Sequence, residues 1–269
     1  MLALLVTAGC TTPAPNPDTD LQLRKGGWQN RYLRYGDEFD YLVGFDLQQL
    51  HADVGIDYRK KIDFLHAHGI NKIRIWLYAS WFGLPGDKHY PEGGKILYPW
   101  RVDTASNKFD LDSWDAAFWD RTREVISYAR SKRIIVEVSL FTIQEPRNYF
   151  RQRNVSYAFK NTDNLQAFGS STDRNGAFMN GFFALGYTDN GRSLLAYQKA
   201  LIDKALVELE EFGNVYFELI NESPGTRDWI ERDLPHVWTK YWLRYLDERT
   251  DKLLATHSTG FLSLEDGNK

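Results

Sequence analysis

From Tyr41 onward, short apolar runs alternate with stretches of helical periodicity. Tyr41-Leu-Val-Gly-Phe45 is the first run. Asp57 to His68 (DYRKKIDFLHAH) follows with apolar residues at helical spacing and Gly69 placed as a C-cap. Lys72-Ile-Arg-Ile-Trp-Leu77 predicts a second strand. A long segment rich in Gly, Pro and aromatics comes next, and Leu111-Asp112 opens a helix through Arg130. Ile134 to Phe141 (IIVEVSLF) predicts the third strand, and another long loop extends to about Gly191. Ser193 to Phe212 reads as an amphipathic helix, Val215 to Ile220 as the fourth strand, Leu234 to Arg249 as a helix and Leu253 to Thr256 as a fifth strand.

Strands and helices in this order imply βαβ units on a parallel sheet, whose strands are buried on both faces and so read as apolar runs. A doubly wound sheet and a (β/α)8 barrel both satisfy the pattern. No Gly-x-Gly-x-x-Gly follows the first strand, which removes the main support for a dinucleotide fold. The long loops all follow strands, whereas helices return to strands through Gly69-Ile70-Asn71, Ser131-Lys132-Arg133 and Gly213-Asn214. That asymmetry favours an α/β fold of the TIM (β/α)8-type, which places its binding face at the C-terminal strand ends. Such barrels take about 250 residues, and long loops leave room here for only four to five βα units. The expectation is an incomplete barrel with an exposed apolar edge.

Composition narrows the partners. The 269 residues suit one principal domain, and a net charge of −3 argues against nucleic acid or an anionic lipid surface. Aromatics make up 15% of the residues and crowd polar, Gly-rich segments, a first hint of ligand contact. At the N-terminus, residues 1–9 are apolar and small, Cys10 is the sole cysteine, and residues 10–30 include a Pro/Thr/Asp-rich tether before the domain at 31–269. This looks like the end of a bacterial lipoprotein signal in which Cys10 is lipidated after cleavage, although it lacks a basic region and carries Thr7 where such signals usually have Leu. The missing basic residues place the true start upstream. The alternative is a disordered start with an incidental Cys. Nine apolar residues are too few to span a bilayer, which takes about 20, so membrane contact is expected only through that anchor. Localisation is accordingly the bacterial cell envelope or outside the cell.

The stretch NVYFELINESP (Asn214 to Pro224) is an apolar strand that ends on Asn221 and Glu222. At the C-terminal tip of a barrel strand, a Glu flanked by Leu219 and Ile220 would be partly desolvated and could hold a proton near neutral pH, as a general acid must. Asn221 can both donate to and accept from a sugar hydroxyl without adding charge.

This stretch resembles the fourth-strand signature of clan A glycoside hydrolases, particularly cellulase-like family 5 members. Gly69 to Trp76 (GINKIRIW) and Phe109 to Phe141 are similar to the second strand, and to a helix and third strand, of the same proteins. The resemblance covers about Tyr41 to Thr256. It implies that Glu222 is the acid/base catalyst, Asn221 the contact to the sugar 2-hydroxyl and Arg74 the support of an active-site carboxylate. Retaining glycosidases need a second carboxylate as nucleophile, which the family places on its seventh strand. No residue here takes that part, because Glu265 comes too early and Glu137 lies inside the third strand.

Each assignment has a plainer alternative. Glu222 could be an ordinary helix N-terminal acid, and Arg74 could serve a structural ion pair, with Glu137 as its expected partner. Glu218 could simply neutralise an Arg. Asp46, after the first strand, could reach the sugar or merely form a turn. Trp76, Trp81, Trp100 and Tyr149 are candidate stacking platforms for pyranose rings, against the strong alternative that aromatics pack the loops. His51, His66 and His68 show no metal spacing, and no cofactor motif appears, although Asp87, Asp103 and Asp173 leave a structural calcium open. The expected function is glycoside hydrolysis of a β-linked poly- or oligosaccharide by retaining double displacement. The rivals are a non-catalytic carbohydrate-binding relative and a transglycosylase.

Overall fold

The structure is a computed structural model that describes residues 23–26, 32–35, 38–39, 41–77, 83–87, 90–142, 156–169, 181–221, 233–252 and 254–255. Five strands form one parallel sheet: β4 (Gly44–Asp46), β5 (Lys72–Trp76), β8 (Ile135–Thr142), β11 (Val215–Asn221) and β12 (Leu254–Ala255). Their spatial order is their chain order, with every neighbouring pair parallel. A doubly wound sheet would reverse direction at a switch point; a sheet that always grows on the same side is what a (β/α)8 barrel requires.

Four helices supply the crossovers: α1 (Tyr58–Ala67), α2 (Ala116–Ser131), α3 (Leu194–Leu209) and α4 (Leu234–Asp247). Side chains at the first three N-termini satisfy backbone donors that the helices leave free. Asp57 accepts from Lys60 N (3.1 Å), Asp115 from Ala117 N (3.0 Å) and Ser193 from Ala196 N (3.4 Å). Gly69, just past α1, takes φ +74° as a C-terminal residue in the left-handed region should.

The second helix begins at Ala116, not at Leu111. Lys108–Trp114 instead forms strand β7, paired antiparallel with β6 (Trp100–Asp103). Phe109 and Leu111 are buried while Asp110 is half-buried and Asp112 exposed, a period of two that overrides the helical reading of the segment. Two further antiparallel sheets lie outside the expected pattern. They are β9 (Thr188–Asp189) with β10 (Arg192–Ser193), and a small sheet of β1 (Leu23–Gly26), β2 (Tyr32–Tyr35) and β3 (Glu38–Phe39). Strand β1 falls within the stretch expected to be a tether up to residue 30.

The sheet has two unlike faces. Ile73, Ile75, Val136, Val138, Leu140, Val215, Phe217 and Leu219 alternate along the strands and join one hydrophobic core with Ile62 and Leu65 of α1, Val125 and Ile126 of α2, Leu201 and Ile202 of α3 and Trp238 and Trp242 of α4. The intervening residues up to Ser139 and Glu218 face the other way and include most of the charges, whereas Phe141 and Ile220 near the strand ends join the core. At the open edge, β4 is exposed at all three positions, and Tyr41, Val43 and Phe45 present apolar surface to solvent, as expected of an unclosed sheet. Among the described residues, no helix is long and apolar enough to cross a membrane.

His51, in the loop after β4, is fully buried against the ring of Phe118 (centroids 5.2 Å apart). Burial pushes its pKa down from 6.5 to about 4; the Leu77 backbone works the other way, and the charge of Arg121 adds to the lowering. The folded protein therefore keeps this imidazole neutral while the unfolded chain takes up a proton, so stability is lost as pH falls from 6.5 towards 4. His51→Leu should remove up to about 3 kcal/mol of that pH dependence. Urea unfolding curves at pH 7 and pH 4.5, followed by Trp fluorescence, measure it. Equal slopes with pH for both proteins would contradict the assignment.

Candidate active site

The inner face of the sheet is organised in rows set by strand register. Asp46, Arg74, Glu137 and Tyr216 stand side by side across β4, β5, β8 and β11. One row nearer the C-terminal ends come Trp76, Ser139 and Glu218. These two rows end the charged part of the face; at the strand tips Asn221 pairs with Thr142, and its Nδ2 donates to Thr142 Oγ1 at 3.4 Å.

Arg74 joins the rows. Its Nη2 donates to Asp46 Oδ2 at 2.9 Å and its Nη1 to Glu218 Oε1 at 3.4 Å. Strands two apart in a sheet are separated by about 9.5 Å, so reaching from β5 across β8 to β11 needs both the length of an arginine and an unobstructed path. Ser139, in the row of Glu218 on the intervening strand, is small enough to leave one. Burial works against the Arg74 charge, but the hydrogen bond to Asp46 and the charges of Glu218 and Asp46 outweigh it and hold the guanidinium above its ordinary pKa.

The ion-pair alternative for Arg74 is thus correct in kind and wrong in partner. Glu137 instead pairs with Lys72, which sits beneath Arg74 on the same strand face. Tyr216 lies alongside, under the Lys72 ammonium (5.6 Å to the ring centroid). Burial, then the charge and hydrogen bond of Glu137, raise its phenol well above the usual range. Counting charges on this face among the described residues, Lys72 and Arg74 meet Asp46, Glu137 and Glu218, an excess of one carboxylate.

Asp46 is the most exposed of these groups, with 39% of its side chain accessible. Gln48 Nε2 donates to the same Oδ2 at 3.3 Å. Both contacts use one carboxylate oxygen, so the group is held in orientation at the rim. A cavity of about 430 Å³ opens beside it, lined by residues 46–50, Ile56 and Lys61.

The aromatic expectations divide. Trp100 is 1% exposed, with its ring stacked on Trp114 and edge-on to Phe159, so it packs the core and offers no face to a sugar. Trp76 lies on the inner face at the end of β5 but is 4% exposed, and its indole N–H has no hydrogen-bond partner among the described residues. Glu222, Trp81, Tyr149 and Cys10 lie outside the described residues. The functional group that sequence reasoning undervalued is Glu218. Its alternation with apolar neighbours fixed its face, but the charge it balances came only with the register. Among the described residues, no group of three or more His, Cys, Asp or Glu side chains is arranged to hold a metal ion.

No protein-family model matches the chain, and no curated protein does. Solved structures do. The endo-1,4-β-mannanase of Rhizomucor miehei is similar over 90% of this chain and 62% of its own, at 15% identity and a TM-score of 0.55. A glycoside hydrolase family 5 mannosidase of the same organism, solved with mannosyl-fructose, is similar over 92% of this chain and 58% of its own, at 11% identity and a TM-score of 0.52. The chain thus spans less than two thirds of the length of either neighbour. At such identity the likeness establishes the fold, a (β/α)8-type barrel.

Because Glu218 is fully buried, Arg74→Met leaves its carboxylate without the guanidinium and should destabilise the protein by about 3 kcal/mol. Adding Glu218→Gln in that background should recover part of the loss. Denaturant midpoints of the two variants check both statements, and an Arg74→Met protein as stable as wild type would contradict the ion pair.

Proposed function

We propose that the chain carries the acid/base half of a retaining glycoside hydrolase site acting on a β-linked polysaccharide or oligosaccharide. One observation carries this reading: an inward-facing arginine is clamped by two carboxylates in a parallel sheet whose C-terminal strand ends, where barrel enzymes build their chemistry, include Asn221, the last described residue of β11. Glu222 comes next in sequence. In this role Glu222 protonates the glycosidic oxygen as the aglycone leaves and then takes a proton from the water that releases the sugar. Asn221 and Asp46 bind hydroxyls. A second carboxylate of the intact protein attacks the anomeric carbon, and no described residue is assigned that part.

The fold likeness to a mannanase and a mannosidase supports the general reaction and makes β-mannan the first substrate to test, ahead of β-glucan and xylan. Under the same reading the protein acts outside the cytoplasm, with Cys10 as its lipid attachment point.

In the full-length protein, Glu222→Gln should lower kcat roughly 10²–10⁴-fold while oligosaccharide binding survives. Reducing-sugar release from mannan, glucan and xylan, together with calorimetric titration of the inactive variant, measures the two effects. Oligosaccharide binding by a wild type that releases no sugar would favour the carbohydrate-binding alternative. Undiminished turnover in the variant would take Glu222 out of the reaction.

A further inference from the structure

We infer that Glu218 is a positioning residue: by holding Nη1 of Arg74 while Asp46 holds Nη2, it fixes the guanidinium plane across the inner face and presents it to the reacting carboxylates at the strand ends. The inference rests on the glycosidase reading for its catalytic half.

The geometry distinguishes this from charge neutralisation. Either carboxylate alone would offset the arginine, and one partner would leave the guanidinium free to turn about its side chain. Two partners on strands to either side of it, engaging different Nη atoms, leave one orientation. The two partners are unequal. Asp46 is at the exposed rim, where substrate and water compete for it, whereas Glu218 is fully buried, where neither can reach. Glu218 is therefore the permanent anchor and Asp46 the adjustable one. The route from Arg74 to Glu218 passes the one small side chain of its row, Ser139, so the clamp is built by three strands together. The lower pair, Lys72 with Glu137, provides an internal control. It places another carboxylate on the same face one row further from the strand tips, with its own cation.

The test uses Glu218→Gln and Glu137→Gln in the full-length protein. If Glu218 acts through Arg74, Glu218→Gln should lower kcat about tenfold or more with KM within about twofold, while Glu137→Gln leaves kcat near wild type. In an Arg74→Lys background, Glu218→Gln should then cost little further activity. Equal losses from the two Gln variants, or losses that multiply in the Arg74→Lys background, would overturn the inference. The clamp is also read without turnover. Side-chain NMR of ¹⁵N-arginine-labelled protein should show slowly exchanging Arg74 Nη protons in wild type, lost in Glu218→Gln and kept in Glu137→Gln; Arg74 signals unchanged by Glu218→Gln would overturn it regardless of activity. A wild type that releases no sugar sinks the glycosidase reading and the catalytic half with it, and the NMR result still decides the clamp.

Discussion

The meeting of Asp46, Arg74 and Glu218 on the inner face of the parallel sheet is the constraint on which the rest of the site depends. A charge removed from water is costly unless a partner and hydrogen bonds replace the solvent. Glu218 is fully buried, so β11 must lie where Arg74 can reach it. A slip of one residue in any of these strands would turn its charged side chain into the helix-packed core and its core residue onto the inner face. The register is thus specified twice, by apolar rows beneath the helices and by ion pairs on the opposite side.

Stability alone does not account for such a face. Apolar side chains of similar volume would pack the inside of a barrel at least as well, since a buried ion pair seldom repays the desolvation of both partners. The core between sheet and helices follows the ordinary rule, with β8 and β11 buried at every position and the Trp238 and Trp242 rings closing over Phe141. The polar inner face departs from that rule at the end of the sheet where barrels place their chemistry, and a local departure from the best packing is what a functional site looks like in physical terms.

Much of this architecture was legible in the sequence because it rests on local signals. Short apolar runs marked the five parallel strands, Asp57 and Gly69 bounded the first helix, and short returns from helix to strand pointed to a barrel. The antiparallel pairs were not legible, since partners such as Leu23 and Tyr35 meet through strands of only two to seven residues. The FDLDSW segment misled because Asp115, Phe118 and Trp119 belong to a real helix that begins just beyond it. Trp100 shows the limit of composition: a Trp among Gly, Pro and Tyr looks the same whether it stacks on a sugar or on Trp114. For Arg74, alternation gave the face but not the acid. Glu137 is its register neighbour, yet Lys72 takes that carboxylate, and only the reach of real side chains decides between them.

The engagement of Arg74 by two carboxylates bears directly on acid catalysis. A general acid at the strand tips must keep its proton near neutral pH, and an unpaired arginine close by would work against that by favouring the ionised form. With Asp46 and Glu218 both engaged, the positive charge of Arg74 is already offset before any third carboxylate approaches. The guanidinium can then orient an acid through hydrogen bonds while doing little to strip its proton. Loss of Glu218 would free Arg74 as a counter-ion as well as loosen it, so orientation and proton affinity at the strand tips depend on the same buried side chain.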